Sequence, residues 1–285
     1  MGVIRMKRHF TLLALVLLMN TYQCSEQKNT EIKSDLSAIK QVPEEKWEVL
    51  KSKKIYFGHQ SVGFNIVNGI ELIMKDMPTL SLNIQELKAP DTLKSPVFAH
   101  SRIGKNKDPL SKIMDFKNYI QNGIGDSADY AFFKFCYIDI KEDTDVQNVF
   151  TAYKDVVDSL IIKFPNTTFI HVTVPLRIAQ TGIKVSIKNV IGRPVGGYAD
   201  NIKRNEFNEL LLNEYGDTGL VFDLAKAEST YPDGQRQFFE SNGKKYSFLI
   251  PAYTNDGGHL NNVGRSIVAE KLLIFLSEQI GKTDE

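Results

Sequence analysis

The chain has 285 residues, 42% of them hydrophobic, with 35 basic side chains against 34 acidic ones and a formal charge of +1. That length can bury a sizeable core in one α/β domain, and a balanced charge without a Lys/Arg-dense block gives no reason to expect a nucleic-acid partner. Two cysteines, Cys24 and Cys136, exclude a framework of disulfides and any cysteine-based metal-ligand spacing.

At the start of the chain Arg5, Lys7 and Arg8 precede the apolar run Phe10 to Met19. The run is too short to span a bilayer comfortably and has the proportions of an export signal. Cys24 follows at the distance of a bacterial lipoprotein cleavage site. The expectation is therefore a signal peptide over 1–23, lipidation at Cys24, a polar tether over 24–45 and a domain over 46–285. This implies a cell-envelope protein held to a membrane by an N-terminal lipid anchor, with ordinary secretion as the alternative.

From Trp47 onward, strand and helix patterns alternate, which predicts a parallel sheet. Short runs rich in β-branched and aromatic residues predict five strands, at Lys54 to Phe57, Leu80 to Leu87, Tyr130 to Tyr137, Thr168 to Val174 and Gly219 to Phe222. Helical patterns fall at Phe64 to Lys75, Pro109 to Asn122, Val146 to Phe164, Asn201 to Tyr215 and Asn261 to Ile280. In a doubly wound sheet, functional groups collect at the carboxyl ends of the strands, so the loops after the strands carry the candidate chemistry.

After the first strand comes Gly58-His59-Gln60-Ser61-Val62-Gly63, with Ser61 at the strand-to-helix junction. Unpaired amide N–H groups point outward there, so Ser61 is either the cap of the following helix or a nucleophile beside oxyanion donors. The stretch is neither a Gly-x-Ser-x-Gly elbow nor a Walker loop. Far away in sequence, Asp256 and His259 stand three apart just before the last helix. They read either as a turn-closing aspartate with a helix-start histidine, or as a general base with its orienting carboxylate. The loop around Gly104 and Asn106 offers a backbone and an amide donor, and His59, His100 and Arg102 are candidates for substrate contact. His171 reads as structural. His59, Asp256 and His259 form no compact ligand motif, so neither a metal nor a cofactor is expected.

Ser61 on the first βα loop, together with Asp256-x-x-His259 before the C-terminal helix, resembles the SGNH/GDSL hydrolase superfamily over approximately Lys53 to Phe275. The resemblance implies a flavodoxin-like three-layer α/β/α sandwich with a five-stranded parallel sheet. It also implies Ser61 as nucleophile, His259 as general base and Asp256 as its orienting acid, with an oxyanion hole from the Ser61 N–H and Gly104. Two blocks depart from the family pattern: His59-Gln60-Ser61 stands where Asp-Ser is usual, and the stretch FKFCYIDI has Ile138 where the family carries a donor asparagine. Asn106 is the substitute donor considered for that gap. The activity implied is an exported serine esterase acting on a small-molecule or glycan ester. Acyl transfer to a glycan and a carbohydrate-binding module without turnover are the alternatives. The segments Leu176 to Ala199 and Ala225 to Tyr253 are candidate substrate-specificity loops.

Overall fold

The computed structural model describes residues 36–180 and 195–279. The expected signal segment 1–23, the expected lipidation site Cys24 and residues 181–194 of the loop after the fourth predicted strand lie outside the described residues. The packed chain begins earlier than the tether reading implies: Ile39 is buried, and its N–H donates to Glu270 Oε1 at 3.1 Å in the last helix.

Helix α1 (Glu44–Ser52) leads into β1 (Lys54–His59) and α2 (Val62–Asp76). Then come β2 (Ile84–Glu86), β3 (Val97–Arg102), α3 (Pro109–Tyr119) and β4 (Tyr130–Phe133). The second half runs α4 (Val146–Lys163), β5 (Thr168–Val172), α5 (Tyr198–Tyr215), β6 (Val221–Phe222) and α6 (Leu224–Ser229). A small hairpin, β7 (Phe238–Ser241) with β8 (Lys244–Ser247), precedes α7 (Asn262–Gln279).

The main sheet is parallel throughout, in the order β2-β3-β1-β4-β5-β6. Helices on both faces make the three-layer α/β/α sandwich. Tyr56, Ala99, Ala131, Phe133 and Phe169 point to one face, where they join Ile113, Phe116, Val149, Tyr153, Phe207 and Leu211 from α3, α4 and α5 in a continuous core. On the other face Phe57, Phe98 and Phe132 pack ring to ring beneath α2 and α7. These two helices cross so closely that a Cβ on Gly69 would lie 2.3 Å from the Arg265 carbonyl oxygen, so only glycine permits the crossing.

The sheet has six strands where the sequence pattern predicts five. Only Ile84–Glu86 of the predicted second strand pairs, and it does so at the edge. The inner strand is β3, whose polar end His100-Ser101-Arg102 reads as loop in sequence. Two of those polar groups are satisfied inside: Ser101 hydrogen-bonds to Tyr56 at 2.6 Å and His100 to His59 at 3.1 Å, which permits a polar run to occupy a buried strand. Strand β4 ends at Phe133 rather than Tyr137, because the next residues leave the ladder to build the site.

Candidate active site

Ser61 stands immediately before α2 with φ 51° and ψ −110° and makes no side-chain capping hydrogen bond. A positive φ on a serine is strained by about 1–3 kcal/mol. The neighbouring side chains hold the turn: Gln60 Nε2 donates to the Ile103 carbonyl at 2.9 Å and to the Gly104 carbonyl, stapling the β1 loop to the β3 loop. His59 anchors it from below, fully buried against the edge of the Phe64 ring.

Freed from capping, the Ser61 hydroxyl lies 2.7 Å from His259 Nε2. His259 Nδ1 lies 2.6 Å from Asp256 Oδ2, while Asp256 Oδ1 accepts from the backbone N–H of His259 at 2.8 Å and of Gly258 at 2.9 Å. Burial pushes the Asp256 carboxyl upward, but hydrogen bonds from the His259 ring and from these two N–H groups outweigh it and hold the pKa well below the usual carboxylate range. An ionised Asp256 fixes the proton of His259 on Nδ1 and leaves Nε2 to accept from Ser61. The loop is tied to α2 where Leu260 N–H donates to Asn65 Oδ1 at 3.1 Å, and Asn261 Oδ1 accepts from the Gly264 N–H at 3.0 Å in the first turn of α7. The three residues singled out in the sequence, 198 positions apart at their extremes, thus form one hydrogen-bonded chain at the carboxyl end of the sheet. Beside it opens a cleft of ≈ 480 Å³ whose lining is both polar, from Asp256, His259, three asparagines at 255, 261 and 262 and Arg265, and apolar, from Leu260 and Val263.

The other predicted contributors are placed differently. The Gly104 N–H donates to Asp115 Oδ2 at 2.8 Å and is therefore engaged away from Ser61, because α3 brings a carboxylate up beneath the loop. Asn106 is exposed, and its Oδ1 accepts from Lys112 Nζ at 3.1 Å. It borders a buried ion pair in which Lys112 Nζ lies 2.5 Å from Asp139 Oδ2, with both side chains fully enclosed, and Asp139 also accepts from the N–H groups of Cys136 and Lys107. The N–H groups of Gly63 and Phe64 donate to the carbonyls of Gln60 and Ser61, whereas among the described residues the N–H of Ser61 itself has no hydrogen-bond acceptor.

His59 and His100 are not on the surface of the cleft. Both are buried, stacked with ring centroids 5.1 Å apart, and burial lowers the pKa of each, that of His59 further because Lys134, His100 and Arg102 are near. Arg102 is exposed, but it covers Phe64 at 4.6 Å and meets Glu86 at 3.6 Å on the β2 edge. His171 is structural, bonded to the Tyr153 hydroxyl at 2.8 Å and stacked on Tyr215. Among the described residues no three of His, Cys, Asp and Glu gather closely enough to hold a metal ion.

Two neighbours of the site were not legible in the sequence. Tyr137, four residues past β4, puts its hydroxyl 3.5 Å from His259 Nε2. Arg177, in the loop after β5, lies over the Tyr137 ring at 5.3 Å and donates to the Gly257 carbonyl at 3.2 Å.

No protein-family model matches the chain, and no curated protein matches it. It is similar to solved structures at low identity. A Desulfitobacterium hafniense protein assigned to the G-D-S-L lipolytic family shares 8% identity over 78% of this chain and 99% of its own, with a TM-score of 0.44. A G-D-S-L lipolytic family member from Veillonella parvula shares 16% over 77% and 95%, TM-score 0.41. The periplasmic domain of a lipopolysaccharide acetyltransferase from Salmonella Paratyphi A shares 13% over 88% and 97%, also at 0.41.

Proposed function

We infer that this chain is a serine ester hydrolase. The observation that carries the reading is the unbroken hydrogen-bonded series from the Ser61 hydroxyl through His259 to Asp256. In this reading Ser61 Oγ attacks the acyl carbon, its proton passes to His259 Nε2, and Asp256 stabilises the imidazolium. The oxyanion forms beside the Ser61 N–H at the start of α2, where the helix dipole favours negative charge. The acyl-enzyme is then released by water activated on the same nitrogen.

The adjoining cleft sets the amides of Asn255, Asn261 and Asn262 and the Arg265 guanidinium beside Leu260 and Val263, a mixed lining that suits an alcohol with hydroxyls and apolar ring faces, as in acylated carbohydrate. The leader pattern and Cys24 support a lipid-anchored envelope location for the enzyme; radiolabelled palmitate retained by a Cys24→Ser variant would contradict the anchor. Hydrolysis of acetylated glycans and of p-nitrophenyl acetate by the wild type and by Ser61→Ala tests the activity. The variant is expected to lose turnover by at least about 10³-fold, and equal turnover in the two proteins would refute the reading.

A further inference from the structure

The chain beyond β4 carries a side chain that the triad leaves unused. Tyr137 is held from several sides: its carbonyl accepts from Arg204 Nε at 2.8 Å, and Arg204, itself buried, is fixed by Asn201 Oδ1 at 2.8 Å and Asp200 Oδ2 at 3.3 Å. Its ring meets the His259 ring edge to face at 5.7 Å, and it lies so close to Gly258 that a Cβ there would be 2.8 Å from Tyr137 Cζ. The result is a hydroxyl 3.5 Å from His259 Nε2, the nitrogen that also holds the Ser61 hydroxyl at 2.7 Å. One imidazole nitrogen carries one proton or one lone pair and serves one close partner at a time. Nε2 is also the atom that must hand its proton to the departing group, so a second oxygen beside it adjoins the position that group occupies.

We propose that the Tyr137 hydroxyl hydrogen-bonds to the leaving alkoxy oxygen of the ester, and to the attacking water in the second half-reaction. The inference rests on the reading of Ser61 as nucleophile. During acylation the Ser61 Oγ–C bond forms and the Ser61 proton moves to Nε2. The C–O bond to the alcohol then breaks, and the proton passes from Nε2 to the alkoxy oxygen. Tyr137 donates a hydrogen bond to that oxygen and keeps its own proton throughout. Burial, with Asp256 adding to it against the opposing charge of Arg177, raises the phenol above its ordinary pKa, so it remains a donor at neutral pH. This hydroxyl differs in role from the donor asparagine whose place Ile138 takes: it assists departure of the alcohol rather than holding the oxyanion.

The test compares kcat/KM, which reports on acylation, for an alkyl butyrate and p-nitrophenyl butyrate in the wild type, Tyr137→Phe and Ser61→Ala. An alkoxide needs a proton to leave and p-nitrophenolate does not. Tyr137→Phe is expected to lose about 10- to 100-fold on the alkyl ester, the scale of one hydrogen bond to a developing charge, and less than about threefold on the p-nitrophenyl ester. Labelling of Ser61 by a fluorophosphonate, whose fluoride departs unaided, should likewise stay within threefold. Equal losses on both esters, or none on either while Ser61→Ala is inactive, would overturn this inference alone. A wild type no faster than Ser61→Ala on both esters would overturn the hydrolase reading and this inference together.

Discussion

Glu228 gives the sharpest test of the interior. It lies in α6 with no exposed surface; one carboxyl oxygen accepts from the Leu176 N–H and the other has no hydrogen-bond partner. Burial pushes its pKa from 4.5 up to about 8, against the lowering effects of the Leu176 N–H, Lys134 and Arg204. Between these values the folded chain keeps a proton that the unfolded chain has released, so stability is full below pH 4.5 and falls as pH rises toward 8. At 1.36 kcal/mol per unit, the loss is roughly 3 kcal/mol by pH 7 and approaches about 5 kcal/mol above pH 8. Glu228→Gln keeps an acceptor for Leu176 and removes the titration. Urea unfolding of both proteins at several pH values should show the variant gaining on the wild type by about 1 kcal/mol per pH unit from pH 5 to 8, then levelling off. A difference that stays constant with pH would refute the argument and mean that Glu228 is ionised in the fold, paired electrostatically with Lys134 and Arg204.

Asp256→Asn should leave the loop folded, since the remaining carbonyl oxygen can still accept from the Gly258 and His259 N–H groups, but it should lower kcat by about 10⁴-fold by releasing the His259 tautomer; steady-state kinetics with circular dichroism as a control checks both halves. Because the folded Asp256 pKa is depressed, the carboxylate stays ionised as pH falls, and its stabilising contribution is lost only when pH drops below the unfolded value of 3.8 toward the folded one; an Asp256→Asn difference in thermal midpoint that disappears already at pH 6 would contradict this. Gly258→Ala should push the new methyl into Tyr137 and lower kcat/KM by roughly 100-fold through misplacement of the site, measured with a p-nitrophenyl ester beside a thermal melt.

The alternation of strands and helices and the positions of Ser61, Asp256 and His259 were legible because each rests on a local signal: a strand-turn-helix junction, and a short Asp-x-x-His spacing ahead of a helix. What was hidden depended on partners distant in sequence. His100 and Ser101 read as loop because their partners, His59 and Tyr56, lie more than forty residues away. Gly104 carried the right residue type, but Asp115 takes its N–H. Tyr137, a neighbour that does approach the site, reads in sequence as one more aromatic at the end of a strand. Buried Lys112, Asp139, Arg204 and Glu228 likewise carry no local mark; charged residues enter a core only where the fold supplies their partners.

The central claim is that Ser61 is an activated nucleophile. Reaction of the folded wild type with a serine-directed fluorophosphonate, followed by peptide mapping and compared with Ser61→Ala and His259→Ala, tests it most directly. The account predicts one label, on Ser61, absent from Ser61→Ala and strongly reduced in His259→Ala; a folded wild type that takes no label, or a label that persists in Ser61→Ala, would contradict it.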